Sequence, residues 1–144
     1  MRNLKITPIK PEHAAITPYL RKADLEEINA MTGLNPELAV AYSIAHTEKG
    51  FSAIYNKKIV SIFGVSNGLI WLVGTDEISE HPITFFKLSK KIFPELTTGY
   101  KRLENYVDER NKLSLRWLKW LGFNIEPPVR VAGGFFHNVW WEAK

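Results

Sequence analysis

The chain has 144 residues, 45% of them apolar, which fits one globular domain over residues 1–144 with a substantial core. Nineteen basic against fifteen acidic residues give a net charge of +4, which suits anionic ligands but falls far below the charge density of a dedicated nucleic-acid binder. The absence of cysteine excludes a disulfide framework, a thiolate nucleophile and any zinc site that needs sulfur.

Residues 1–10 alternate Arg2, Lys5 and Lys10 with single apolar residues, so no signal-peptide core is expected, and no later stretch is apolar enough to predict a membrane span. A helix is expected over residues 11–20. A second runs from Asp24, whose Glu27 three residues on resembles a capping box, to a stop at Gly33. A third opens with Asn35 as N-cap and Pro36 in the first turn, carries Leu38, Ala39, Tyr42, Ala45 and His46 on one stripe, and ends at Gly50. The period then changes. Residues 51–55, 59–65 and 69–73 are runs of Ile, Val and aromatics parted by turn residues, and they predict three antiparallel strands. Pro82 opens a helix with Phe85, Phe86, Leu88, Ser89 and Ile92 on one face and Lys87, Lys90 and Lys91 opposite, interrupted by Pro94. Residues 103–108 alternate as a strand. The helix 112–121 has its only charges, Lys112, Arg116 and Lys119, on one narrow stripe, so the rest of it is expected to be packed; Gly122 ends it, and strands over 129–132 and 135–141 close the chain.

Few side chains declare a chemistry. The histidines His13, His46, His81 and His137 are scattered without metal-ligand spacing, so no metal is expected, and no serine sits in a Gly-x-Ser-x-Gly context. Asn105 and Tyr106 bring an amide and a phenol to one strand, on opposite faces. Glu104, Asp108 and Glu109 include candidate bases, or simply a solvated strand end. Asn111 has the plain reading of an N-cap, Gly74 that of a strand terminus and Trp71 that of a core residue.

Asn111, Ser114, Trp117, Gly122 and Phe123, within helices, three strands, helix, strand, helix and two strands, resemble the last-helix pattern of the GCN5-related N-acetyltransferase superfamily. That resemblance implies an α/β (α+β) fold: a mixed, mostly antiparallel sheet of about six to seven strands, flanked by helices and splayed between the fourth and fifth. It implies acetyl-CoA as co-substrate, with the acyl-pantetheine held by the backbone of Leu72, Val73 and Gly74 facing residues 105–107, and Asn111 near the ligand. Asn105 and Tyr106 are the candidate catalytic groups. The acceptor is an amine on a protein or a small molecule. Two departures bear on activity. Leu118 stands where many members have the tyrosine that protonates the departing thiolate. The junction Thr75-Asp76-Glu77-Ile78-Ser79-Glu80-His81-Pro82 replaces the glycine-rich loop whose amides hold the CoA pyrophosphate.

A narrower resemblance rests on Ile70-Trp71-Leu72-Val73-Gly74-Thr75-Asp76, Phe86-Lys87-Leu88-Ser89-Lys90-Lys91, the run from Leu103 to Asn111, and the run from Arg116 to Phe123. These are similar to the acetyltransferase-like proteins of tailed phages and prophages related to internal virion (core) protein A. The resemblance implies a protein of the host cytoplasm or the virion. It leaves two functions open: an N-acetyltransferase, or a noncatalytic module that meets a phage or host protein. Phe135, Phe136, Trp140 and Trp141 are expected to complete the core or to form a self-association face, and exposure of that cluster would favour the second function.

Overall fold

Two tight turns set the register of the central strands. In the computed structural model, which describes residues 3–131 and 133–144, Asn56 and Lys57 have φ of 50° and 64°, and Asn67 and Gly68 have 56° and 78°. Paired left-handed residues are what a two-residue hairpin requires. They join β2 (Lys49–Tyr55), β3 (Lys58–Ser66) and β4 (Leu69–Gly74) into an antiparallel meander, with β1 (Lys5–Pro8) on the outer edge of β2. From β4 the chain crosses over through α3 (Asp76–Glu80) and α4 (Pro82–Thr97) and returns as β5 (Arg102–Asp108), parallel to β4. The helix α5 (Lys112–Leu121) and the short strands β6 (Asn124–Ile125) and β7 (Val129–Val131) lead to β8 (Gly134–Glu142), which pairs with β5, β6 and β7. The sheet has eight strands, ordered β1-β2-β3-β4-β5-β8-β6, with β7 also on β8.

Both faces are covered, which is why β3 is buried from Val60 through Val65 on both sides of its pleat. On one face α4 and α5 pack a cluster in which Phe63, Phe85 and Trp117 meet ring to ring at 5.4 to 6.2 Å. On the other, a 3₁₀ helix (Pro11–Tyr19), α1 (Lys22–Thr32) and α2 (Pro36–Ala45) pack Ile16, Leu20 and Val40 onto Ile62, Trp71 and Val73. Large buried aromatics of this kind cost about 3–5 kcal/mol when cut to alanine.

Several elements differ from expectation. Residues 11–19 wind as a 3₁₀ helix interrupted by Pro18. Helix α1 begins at Lys22, so Asp24 lies inside its first turn and does not cap it. Helix α2 stops at Ala45, and Gly50 belongs to β2, where a Cβ would lie 2.7 Å from Thr47 and 2.8 Å from Ile9; close packing, not helix termination, needs that glycine. The stripe expected to bury α2 leaves Leu38 and Tyr42 exposed, and Val40 is buried in its place. Pro94 lies inside α4, which runs on to Thr97; the helix hydrogen bond it forgoes belongs to Lys90, an exposed residue. Trp120 joins the wet stripe of α5, resting on Phe86. Strands β1 and β6 and helix α3 are additions. The expectation for the end of the strand 129–132, Ala132, and for Met1 and Arg2, falls outside the described residues.

Candidate active site

Strands β4 and β5 touch through one ladder position, Leu69 opposite Glu104, where the Glu104 N–H meets the Gly68 carbonyl at 3.0 Å. Beyond it they part. Thr75 donates its N–H to Val60 of β3 at 2.9 Å, and alternation along an antiparallel pair then turns the main chain of Ile70, Leu72 and Gly74 away from β3, into the gap.

Most of those groups find partners. At the narrow end Asn105 bridges the strands, its Nδ2 donating to the Ile70 carbonyl at 2.7 Å and its Oδ1 accepting the Tyr106 N–H at 2.7 Å. At the wide end α1 supplies two carboxylates one turn apart. Asp24 accepts the Gly74 N–H at 2.9 Å, two contacts from the Arg21 guanidinium at 2.7 and 3.1 Å, and Asn111 Nδ2 at 3.1 Å. Glu27 accepts the Asp108 N–H of β5 at 2.7 Å and Asn111 Nδ2 at 3.4 Å. Asn111 also caps α5, accepting the Ser114 N–H, and takes an Arg21 N–H at 2.9 Å. Between these two bridges the main chain of Leu72 and the Tyr106 C=O are turned into the gap, beyond the last ladder position shared by β4 and β5.

The two carboxyls differ in character. Asp24 is enclosed; burial pushes its pKa above the ordinary value, while Arg21 and the N–H donors of Gly74 and Asn111 pull it partway back. Glu27 has no cation. Its stem is partly open, but burial of the carboxyl drives its pKa up to about 8, reinforced by the charges of Asp24 and Asp108 and opposed by the Asp108 and Asn111 donors. Asp108 itself is held below its ordinary value by Arg110, which also binds Glu26.

A cavity of about 300 Å³ runs along the gap. Residues 70–73 and 105–107 line its middle, Ser114, Trp117 and Leu118 of α5 line it on one side of the sheet, and α1 and α2 enclose it on the other. Among its lining residues, Trp71 Nε1, Ser114 Oγ and Trp117 Nε1 are buried without a partner. The gap is therefore open, with Trp71 and Trp117 as its walls.

No family model matches the chain, and no curated protein matches it in sequence. Solved structures do. Aminoglycoside acetyltransferase AAC(6')-Ib in complex with coenzyme A superposes with a TM-score of 0.65 at 13% identity, over 97% of this chain and 95% of that one. An acetyltransferase of the GNAT family from Streptococcus pneumoniae gives 0.64 at 16% identity, over 99% and 100%. A variant of spermidine N-acetyltransferase SpeG from Vibrio cholerae gives 0.63 at 8% identity, over 99% and 95%. The fold is that of the GCN5-related N-acetyltransferases.

Within this acetyltransferase fold, the residues singled out in the sequence gather unevenly. Leu72 turns its main chain into the gap, whereas Val73 turns its main chain to β3 and Gly74 is occupied by Asp24 and by the Arg21 N–H. Asn105 spends its amide on the narrow bridge. Tyr106 lines the cavity with its ring 41% exposed. Asn111 is fully enclosed and organises the wide bridge. For coenzyme A the fit is divided. The gap and its orphan donors match an acyl-pantetheine arm. The junction after β4 forms α3, anchored by fully buried Ile78, with Asp76 and Glu77 in its first turn and Pro82 heading α4, and this is no anion cradle. Glu27 was missed by sequence reasoning. The available signal was that Asp24, Glu27, Ile28 and Met31 share one face of α1, putting two acids on an apolar stripe.

Proposed function

We propose that the chain is an acyl-CoA-dependent N-acetyltransferase acting on a small-molecule amine. The observation that carries this reading is the open gap beyond the single β4/β5 ladder position, with the Leu72 main chain turned into it and a carboxyl whose pKa is about 8 on its wall. The Leu72 N–H donates to the acyl carbonyl oxygen and steadies the negative charge that develops there on attack. The Leu72 and Tyr106 carbonyls accept N–H groups of the pantetheine arm. Ionised Glu27 takes a proton from the ammonium and frees its lone pair, and a pKa near 8 suits an amine better than an ordinary carboxylate does. The C–N bond forms and the C–S bond breaks; the departing thiolate takes its proton from the Tyr106 hydroxyl, Leu118 having none to give, and the phenolate takes the second proton of the amine nitrogen, which leaves a neutral amide, the thiol and a restored Tyr106. Structures of this fold that hold coenzyme A, one of them with ribostamycin, support the donor and the acceptor class.

A second reading, a noncatalytic phage or host interaction module, is favoured by the acidic first turn of α3 at the junction where the superfamily resemblance implies a pyrophosphate loop. The exposed aromatic patch it calls for is reduced to Phe135 and half-buried Trp140, which lies under Arg102, since Phe136 is core and Trp141 packs on Phe93. Calorimetric titration with acetyl-CoA separates the two. Saturable heat and a raised Tm are expected; neither at millimolar ligand overturns the transferase. A tailed-phage or prophage origin, with action in the host cytoplasm or the virion, is what the resemblance over residues 70–76, 86–91, 103–111 and 116–123 implies. Mass spectrometry of purified virions and of the infected cytoplasm locates the protein directly.

A further inference from the structure

The acceptor side of the cavity has an unusual charge inventory for an enzyme that binds amines. Its walls there are Ile28, Met31 and Leu34 on and after α1, Val40 and Tyr42 on α2, and the rings of Trp71 and Tyr106. Among the described residues lining the cavity, Glu27 is the one carboxylate, and none is lysine, arginine or histidine. The neighbouring acids are already engaged: Asp24 by Arg21, and Glu26 and Asp108 by Arg110. Glu104, farther along β5, is paired with Arg102.

We infer that the acceptor is a primary amine on an aromatic or branched aliphatic body, carrying one positive charge and no anionic group. This rests on the transferase reading and names its substrate class. The argument is one of charge matching. A polyamine or aminoglycoside entering this cavity would find one carboxylate for several ammonium groups and would leave the others desolvated against hydrocarbon, which is costly. An amino acid would bury its carboxylate with no cation to meet it. A single ammonium meets Glu27 beside the aromatic rings of Tyr106 and of Tyr42, the latter stacked on His46 at 3.9 Å, and such rings attract a cation through their quadrupoles, while Ile28, Met31 and Val40 take the apolar remainder. The unpartnered Trp71 N–H is free for one oxygen of the amine or of the acyl group. The whole cavity, which the acyl arm shares, is about 300 Å³, at the small end for ligand sites, so the acceptor's part of it suits a body of one ring and a short linker better than an oligosaccharide.

The test has two arms. In the first, thiol release from acetyl-CoA is followed with phenethylamine, isoamylamine, spermidine, kanamycin and free lysine. Phenethylamine or isoamylamine is expected to exceed spermidine, kanamycin and lysine in kcat/KM by about tenfold or more, since one tenfold step is only about 1.4 kcal/mol. In the second, the same amines are titrated calorimetrically into the protein without acetyl-CoA, and the apolar monoamines alone are expected to bind. The variants Leu34→Glu and Met31→Glu, at exposed or half-buried positions of the wall, are expected to shift both readouts toward spermidine by about tenfold. Turnover with a polycation or an amino acid preferred overturns the acceptor class and leaves the transferase standing. Absence of acetyl-CoA binding overturns the transferase, while the second arm still decides the amine. Failure of the apolar monoamines to bind at millimolar concentration, in protein that folds normally, overturns the inference.

Discussion

The two ends of the β4/β5 gap are closed by different chemistry. At the narrow end a neutral amide, Asn105, serves both strands with one donor and one acceptor. At the wide end the strands are too far apart for one side chain, and α1 spans them with Asp24 on Gly74 and Glu27 on Asp108, linked through Asn111. A neutral bridge has no consequence beyond holding the strands. A bridge of two carboxylates in a poorly solvated place must dispose of two charges, and Arg21 compensates one of them. The unmatched one, Glu27, is the group left with a pKa in the range where amine chemistry is done. Closing the wide end and raising the pKa of one carboxyl to about 8 are thus a single structural event.

The comparison breaks first at Asp24. Asp24→Ala would leave Arg21 buried beside an unpaired Gly74 N–H and is expected to lower stability by about 3–5 kcal/mol, measured by urea unfolding. A loss no larger than that of Glu27→Ala would show that the two carboxyls are not divided as described. Glu27→Gln keeps the shape and removes the base, so transfer should fall about 10²–10⁴-fold with the fold intact. In the unchanged protein kcat/KM should rise with pH through about 8, as Glu27 ionises, and that limb should vanish in the variant. The stability effect has the opposite sense. Because the folded pKa of about 8 lies above the ordinary 4.5, the folded state holds a proton that the unfolded chain releases, and this contribution, complete below about 4.5, is lost as pH rises through 8. Glu27→Gln should therefore flatten the fall of Tm with pH over that window.

Asn105→Ala sharpens the other end. Removing a neutral bridge whose partners can turn to water in the cavity should cost about 1–3 kcal/mol in urea unfolding, less than Asp24→Ala, with no change in the pH profile.

Much of this arrangement was legible before the coordinates, and the part that was not has a common cause. The packed face of α5, its Asn111 cap and its left-handed Gly122 follow from spacings within one helix, and each is local enough to leave a pattern. The meander was legible because its turns need residues that tolerate positive φ. Glu27 looked like a capping residue because its neighbour Asp24 stands three positions away, whereas its real partner, Asp108, is 81 residues distant and supplies a main-chain N–H that any side chain could carry. Strand β1 hid for a similar reason: an edge strand of four half-exposed residues pairs on one side only and carries little alternation. Helix α3 was masked by its acids, which read as a poor anion loop and not as the favourable first turn of a helix pinned by Ile78.

Helix α3 also gives the smallest expected effect. Asp76 is exposed and Glu77 partly so, so their repulsion of a pyrophosphate is screened by water and ions and amounts to no more than about 1 kcal/mol for each charge. The double variant Asp76→Asn, Glu77→Gln should tighten acetyl-CoA several-fold at low ionic strength, with the gain shrinking as salt shortens the Debye length from about 10 Å at 0.1 M to about 3 Å at 1 M. Acetyl-pantetheine, which has no pyrophosphate, should bind both proteins alike. An equal gain for both ligands would mean that α3 acts on the gap itself. No gain for either would mean that the pyrophosphate lies away from α3, and the donor would then be held by the arm between the two bridges alone.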